Sequence, residues 1–231
     1  MSAGALAASF AAYVALLAFA LVGLMWRWLP RRDAAVGSAV LLAWLAYAGV
    51  IAASGLLRDP SRRPPGIVFL AAPALVFALV GIARGRLGGR WAAALPLPLL
   101  LGLQVFRVGV ETTLHELAQA GQVPQLLTLQ GGNVEIVVAL AAPLAAWLST
   151  RGFMGRRLAF GWNIVGLLSL LNVVARGVLT SPGPLHLLQT DVPNRAISGL
   201  PYSYIPGLMV PLALYLHLLA FRAMRAARST S

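Results

Sequence analysis

Residues 4–26 read GALAASFAAYVALLAFALVGLMW, and none of these 23 side chains is charged. An α-helix needs about 20 consecutive apolar residues to cross the hydrocarbon core of a bilayer. Arg27, Arg31 and Arg32 follow directly, and no basic segment precedes the stretch. We therefore expect an uncleaved membrane anchor here and not a signal peptide.

Similar apolar stretches recur along the whole chain of 231 residues. Hydrophobic residues make up 59% of it and charged residues 10%, whereas a soluble domain carries roughly 25% charged residues. The mean hydropathy is +0.82. We predict one all-α domain over residues 1–231, a polytopic membrane helix bundle with seven transmembrane helices. The predicted helices cover residues 4–26, 35–57, 66–83, 91–120, 133–150, 158–180 and 205–224.

The arginines predict how this bundle is oriented, because cytoplasmic connections of membrane proteins are enriched in basic residues. All 18 basic residues are Arg, and two of them, Arg107 and Arg176, lie in the interior of predicted helices. Twelve lie in the first, third and fifth connections or from the last turn of the seventh helix through the C-terminal tail, and four lie in the second and sixth connections. The prediction is an N-terminus outside and a C-terminus in the cytoplasm. The twelve are Arg27, Arg31, Arg32, Arg84, Arg86, Arg90, Arg151, Arg156, Arg157, Arg222, Arg225 and Arg228, and the four are Arg58, Arg62, Arg63 and Arg195.

The composition also excludes several classes of protein. The chain has no Lys, so it cannot hold retinal or pyridoxal phosphate as a Schiff base. It has no Cys, which excludes disulfides, iron–sulfur clusters and thioether lipid anchors. A net charge of +12 would suggest nucleic acid in a soluble protein. Here the arginines lie at helix ends, so we expect the lipid bilayer as partner, no nucleic acid and no cofactor.

One polar stripe lies on the predicted fourth helix. Gln104, Arg107, Glu111 and His115 recur at steps of three and four residues, which places them on one face about 80° wide. Ionisable groups are costly inside a membrane, so this face should look into the bundle or a wet cavity. Arg107 and Glu111 are spaced for an intrahelical ion pair. A pair that only fixes helix packing is the alternative to a functional site.

A second stripe lies on the sixth helix and includes Asn172 and Arg176, while Glu135 begins the fifth helix. We predict that these groups converge with the first stripe in a polar network that opens to the outside. The predicted site residues are Gln104, Arg107, Glu111, His115, Glu135, Asn172 and Arg176. The alternative for Glu135 and Arg176 is that each extends to the membrane interface.

No metal is predicted at this site. His115, Glu111 and Glu135 are suitable ligand types but lack a signature spacing. A haem between His115 and His217 is disfavoured, because the predicted depths of the two side chains differ by about 10 Å at 1.5 Å per helical residue.

Two further features concern the architecture. Pro73, Pro143 and Pro211 lie in similar apolar phrases at spacings of 70 and 68 residues, which suggests a helix hairpin of about 69 residues repeated three times after the first helix. The connection 181–204 is long and rich in proline. We expect either a partly ordered cap over the outer mouth of the bundle or a flexible loop.

Six phrases between Phe106 and Leu219 carry a family resemblance. They are Phe106-Arg107-x-x-x-Glu111, Gly121-x-Val-Pro124, Gly132-Asn133-x-Glu135-Ile136, Trp162-Asn163-Ile-Val-Gly166-Leu-Leu, Leu-Asn172-Val-Val and Pro211-x-Ala-Leu-x-Leu-His217. This half of the chain resembles a group of bacterial multi-pass, seven-helix inner-membrane proteins without an assigned function. The resemblance implies the bacterial cytoplasmic membrane and supplies no activity or substrate.

Three functions fit these observations. The first is a small carrier or ligand-binding membrane protein, in which a small molecule, ion or proton engages the polar network. The second is a membrane-embedded enzyme that acts on a lipid or isoprenoid-type substrate. The third is a structural or accessory subunit. Known enzyme motifs such as Gly-x-Ser-x-Gly and the P-loop are missing from the sequence, so we favour a protein without enzymatic activity. The sequence leaves its oligomeric state open.

Overall fold

The computed structural model describes residues 2–228, and every regular element in that range is helical. Two π-helical segments, Phe77–Arg84 and Ile205–Met209, extend α3 and precede α10, and a 3₁₀ turn at Leu103–Phe106 joins α5 to α6. The α-helices are α1 (Ala3–Trp28), α2 (Arg31–Ala53), α3 (Val68–Val76), α4 (Arg86–Ala94), α5 (Leu97–Gly102), α6 (Arg107–Gln119), α7 (Glu135–Leu140), α8 (Ala142–Leu148), α9 (Gly152–Thr180) and α10 (Val210–Arg228).

Five helices in the described range are long and apolar enough to cross a membrane. A sixth is added if Val68–Arg84 and Arg86–Ala94, which meet at an angle of 67°, count as one broken span. Residues 133–150, predicted as the fifth span, contain the two short helices α7 and α8 and are not among these candidates. The five helices that are long and apolar enough to cross a membrane are α1, α2, Leu97–Gln119, α9 and Ile205–Ala226.

Proline and glycine set several boundaries that differ from the predicted ones. Helix α2 begins at Arg31, because Pro30 occupies its N-cap in an extended conformation. It ends at Ala53, and Gly55 then takes a φ of 80°, a left-handed conformation that favours glycine. The predicted helix 91–120 is broken at Leu95 and Pro96, both extended, since a proline disfavours helical geometry in the residue before it.

The interruption between α7 and α8 also has a local cause. Pro143 has no N–H to donate to the carbonyl of Ala139 four residues earlier, and its ring disfavours a continuous helix. The chain starts a new helix at Ala142, with Pro143 in the first turn, where a proline is tolerated.

Two aromatic side chains of α2 replace backbone hydrogen bonds that are lost at Pro73 and Pro211. Pro73 and Pro211 leave the carbonyls of Phe69 and Gly207 without their helical donors. The Tyr47 hydroxyl donates to the Phe69 oxygen at 2.8 Å, and the Trp44 indole N–H donates to the Gly207 oxygen. Helix irregularities therefore accompany all three prolines, while the 69-residue repeat stays a prediction.

Helix α10 lies at the centre of the bundle. It packs against α3, α4, α5 and α9 and buries Ala213, Leu216, Leu219 and Ala220. Of the apolar window in its span, 56% is buried, compared with 22% in α2. Large apolar side chains such as Phe19 and Leu168 are exposed on the outer helices. This arrangement suits a bundle whose outer surface faces lipid and whose polar groups collect around α10.

Candidate functional site

A buried ion pair between Arg107 and Glu135 forms the centre of the polar cluster. Arg107 begins α6 and is 3% exposed, and Glu135 begins α7 and is 2% exposed. The Arg107 Nη2 donates to Glu135 Oε2. Paired charges of this kind are the usual form in which ionisable side chains enter a low-dielectric interior. The sequence predicted Glu111 as the partner of Arg107, whereas the described structure pairs Arg107 with Glu135.

His217 of α10 extends the cluster on the other side of Arg107. Its Nε2 lies 3.3 Å from Arg107 Nη1, and its Nδ1 lies 2.8 Å from Asn163 Oδ1 on α9. The Asn163 amide also donates to the His217 carbonyl at 3.1 Å, so one side chain fixes both the ring and the backbone of His217. A neutral imidazole donates from one nitrogen and accepts at the other, which fits donation to Asn163 and acceptance from Arg107.

A glycine makes room for this ring. A Cβ added at Gly166 of α9 would lie 2.6 Å from His217 Cε1 and 3.2 Å from Nε2. A larger residue at Gly166 would therefore push the ring away from its position between Asn163 and Arg107.

Glu111 lies in the same region but has a different partner. It is one helical turn after Arg107 on α6 and is 5% exposed. The Asn133 amide donates to its two carboxylate oxygens at 3.1 and 3.3 Å and to the Leu127 carbonyl at 2.9 Å. The Asn133 Oδ1 accepts from the backbone N–H of Glu135 at 3.2 Å, so Asn133 links both carboxylates of the cluster.

The four remaining predicted site residues differ in how close they lie to the cluster. Gln104 is buried beside the cluster and donates to the Ala213 carbonyl at 3.0 Å. Arg176 holds the loop before α7, because its Nη1 donates to the carbonyls of Leu126 and Gly131 at 3.1 and 2.8 Å. Asn172 is exposed and accepts from Arg176, and His115 is half-buried outside the cluster. The structure thus brings Gln104, Arg107, Glu111 and Glu135 together, but not Asn172 or His115.

Three residues of the cluster were not among the predicted site residues: Asn133, Asn163 and His217. All three are fully buried. From the sequence, Asn133 and Asn163 are noted only within the motifs that carry the family resemblance, and His217 is considered in addition only as a disfavoured haem ligand. The rule that polar side chains inside a membrane mark functional sites would have selected His217 and Asn163 as well.

The cluster is not completely satisfied in hydrogen bonds. Among the described residues, Arg107 Nε, Glu135 Oε1 and Gln104 Oε1 are buried without a hydrogen-bond partner. Buried polar groups are seldom left this way, so each unpartnered atom calls for a water, an ion or a ligand. No group of three His, Asp or Glu side chains in residues 2–228 is arranged to hold a metal ion.

A cavity of about 390 Å³ reaches this cluster. Arg107, Glu111 and Glu135 line its inner end, and most of its walls are apolar, with contributions from α3, α6, α9 and α10 and from the π-helical segment before α10. Among these, Leu75 of α3 is 51% exposed and Leu171 of α9 is 53% exposed. Because half-exposed apolar residues of two helices line it, the cavity borders the surface that would face lipid.

Loops form the other end of the cavity. Asp59, Pro65 and residues 181–185 line it there, and hydrogen bonds from the Ser61 hydroxyl and N–H lower the pKa of Asp59. Leu187 and Leu188 donate backbone N–H groups to the Leu179 carbonyl, so this part of the loop is held against α9. A second cavity, of about 760 Å³, lies next to the first and shares Leu57, Pro182 and Ser198 with it.

The helices and this site define an all-helical integral membrane protein with a buried polar cluster at the end of an apolar cavity. Residues 63–225 match the model of the family described as "Domain of unknown function (DUF8737)", so the chain belongs to that family. The match covers more than two thirds of the chain and includes every residue of the cluster. No curated protein and no solved structure matches the chain significantly.

Proposed function

We propose that this protein is a small carrier or ligand-binding protein of the bacterial cytoplasmic membrane, which takes an amphiphilic molecule into the 390 Å³ cavity. The single observation that carries the proposal is the combination of apolar walls with a charged inner end at Arg107, Glu111 and Glu135. Ligand sites are typically clefts of about 300–1,000 Å³ with apolar walls and a few convergent polar groups. The proposed topology has seven crossings, with the N-terminus outside and the C-terminus in the cytoplasm.

Contacts between the connections support this topology at the cytoplasmic end. Arg90 of α4 donates from Nε and Nη2 to the Asp33 carboxylate of α2, both at 2.9 Å. Arg222 of α10 donates to the carbonyls of Ile82 and Gly85 at 2.8 Å. The first and third connections and the end of α10 therefore lie at one end of the molecule, as alternating crossings require.

Contacts at the opposite end of the molecule, which is the outer end in this proposal, support the same topology. The second cavity is lined by Leu57, Arg58 and Pro60, by Gly121 and Gln122 and by residues of the segment 182–202. These belong to the second, fourth and sixth connections, which the proposed topology places outside. In this arrangement α7 and α8 together complete the crossing from the loop before Glu135 to Arg151, and the segment 181–204 forms part of the cap of the cavity.

Irregular helix segments border the cavity and favour a carrier. Ile205, Pro206 and Met209 belong to the π-helical segment before α10 and line the cavity wall. Short π-helical segments are often found at functional sites, and interrupted helices at mid-membrane sites are typical of transporters. We expect these segments to change conformation when a carrier releases its ligand.

The other two functions are less well supported. A structural subunit would need only a dry, fully paired network, whereas a cavity reaches this cluster and three of its polar atoms lack partners. The position of Leu75 and Leu171 at the lipid-facing surface also suits an enzyme that admits a lipid substrate from the side. In that case Glu111 is the candidate base, but Arg107 is already paired with Glu135 and is a poor site for an anionic head group.

The proposal is tested with two tryptophan variants on adjacent residues. Ala71 lines the cavity and Ala72 does not, and both are exposed on α3. The full chain in a neutral detergent is titrated with decanol, decanoate and decylammonium, and native mass spectrometry counts the bound molecules. We expect saturable binding of at least one probe to the wild type and to Ala72→Trp, with binding weakened about tenfold or more in Ala71→Trp, since about 1.4 kcal/mol of lost contact energy has that effect. Absence of saturable binding, or equal binding to the two variants, contradicts the proposal.

A further inference from the structure

The charges that line the cavity are predominantly negative, although the chain carries a net charge of +12. Only six residues of the chain are Asp or Glu, and three of them, Asp59, Glu111 and Glu135, line this cavity. Among the described residues, Arg107 is the one arginine in the lining. A cavity with this excess of carboxylates attracts cations and repels anions.

The charge of Arg107 is paired with Glu135, to which its Nη2 donates, while its Nη1 faces His217. Its Nε–H has no partner in the described structure, but an anionic head group bound there would lie beside the carboxylates of Glu135 and Glu111. The ion pair is electrically neutral as a unit, and Glu111 beside it adds one further carboxylate. Asn133, a neutral amide, is the group that contacts Glu111.

Two acceptors in the cluster therefore remain available to a ligand. Glu135 Oε1 is buried without a partner, and the Glu111 oxygens share the single amide nitrogen of Asn133. A carboxylate oxygen has room for two hydrogen bonds, so both residues can accept further donors. An isolated buried carboxylate is strongly unfavourable, which creates a demand for a counter-charge at this point.

An inorganic metal ion is not well suited as the counter-charge of these carboxylates. Hard cations such as Ca²⁺ and Mg²⁺ prefer six or more oxygen ligands. Glu111 and Glu135 lack a third acidic or imidazole ligand arranged with them in the described chain. Most of the remaining cavity wall is aliphatic and would gain nothing from a hydrated ion.

We propose that the cavity selects an amphiphile with a protonated amine head group, for which Glu111 is the counter-ion and Glu135 Oε1 a second acceptor, while the apolar body lies between α3, α9 and α10. This inference rests on the proposed function and specifies its ligand class. The ammonium group supplies a positive charge for Glu111 and N–H donors for Glu135 Oε1, which has no partner, and for the Glu111 oxygens, which share one amide nitrogen. Asp59 lies at the loop end of the same cavity, where Arg62 Nε is 4.0 Å from its carboxylate, so the uncompensated negative charge of the lining is that of Glu111.

The three ten-carbon probes test the inference, because they share one chain and differ in head-group charge. We expect decylammonium to bind most tightly, decanol more weakly and decanoate weakest. Glu111→Gln should weaken decylammonium binding by about tenfold or more and leave decanol within about twofold, since a hydrogen bond to a charged group is removed. Glu116→Gln, on the same helix but outside the cavity lining, is the matched control and should leave all three probes unchanged.

The outcomes separate the inference from the function on which it rests. If no probe binds saturably, the proposed function fails. If the probes bind and decanoate is preferred, or Glu111→Gln has no effect, the cationic ligand is excluded while the binding function stands. Equal binding of decanol and decylammonium would mean that a proton neutralises Glu111, and this too overturns the inference. The order of the three probes on the wild type needs no variant, so a poorly folding Glu111→Gln does not prevent the test.

Discussion

Arg107 forms its buried ion pair with Glu135, which is 28 positions away along the chain, and not with Glu111 one turn along its own helix. The pairing joins α6 to α7, and it leaves Glu111 to the amide of Asn133. The cluster therefore contains one neutralised ion pair and one additional carboxylate, and the cavity reaches both.

The pairing predicts unequal costs for removing its two members. Arg107→Met leaves two buried carboxylates without a cation, whereas Glu135→Met leaves Arg107 with Glu111 one turn away. Breaking a buried pair costs about 3–5 kcal/mol of unfolding free energy, and we expect Arg107→Met at the upper end and Glu135→Met at the lower end. The free energy of unfolding, measured in mixed micelles, checks the order.

The double variant Arg107→Met/Glu135→Met isolates the interaction. It should cost less than the two single changes together, with a coupling of about 0.5–3 kcal/mol. Arg156→Met, an exposed arginine on α9, is the control and should stay within about 0.5 kcal/mol of the wild type. Strict additivity of the two changes would show that Arg107 and Glu135 do not interact.

The position of the His217 ring gives a second prediction. Gly166→Ala places a methyl group 2.6 Å from His217 Cε1, and the hydrogen bonds to Asn163 prevent an easy shift. We expect a loss of about 1–3 kcal/mol in unfolding free energy, the usual cost of overpacking. Gly161→Ala lies on the same helix with nothing within 4 Å of the added Cβ, so it should be neutral or stabilising. Equal effects of the two changes would contradict the close approach of Gly166 to His217.

Part of this arrangement could be predicted from the sequence. The helical class follows from the long apolar stretches, and Gln104, Arg107 and Glu111 follow from their spacing on one helix. The Arg107–Glu135 pair could not be derived in this way, because its geometry depends on how α6 packs on α7. Asn172 shares a periodic stripe with Arg176, but Asn172 is exposed while Arg176 donates to the loop before α7, and periodicity alone does not say which of these side chains is buried. The π-helical segments and the division into α7 and α8 accompany prolines that a continuous helix could also contain, so the sequence alone does not say where a helix is interrupted.

The proposed topology can be tested with single cysteines, because the natural chain has none. Ser2→Cys and Ser61→Cys should react with a membrane-impermeant maleimide on intact cells, since both lie outside in the proposed orientation. Thr150→Cys and Arg225→Cys should react only after the membrane is permeabilised. Labelling of Thr150→Cys on intact cells would mean that α7 and α8 do not complete a crossing, and labelling of all four in reverse would contradict the orientation.

The central claim is that the cavity holds a basic amphiphile against Glu111, and native mass spectrometry of protein purified from its own membrane tests it most directly. We expect a co-purifying small molecule that contains a protonatable nitrogen, present on the wild type and on Glu116→Gln and absent from Glu111→Gln. A bound molecule that is acidic, or one retained at equal occupancy by Glu111→Gln, would contradict it.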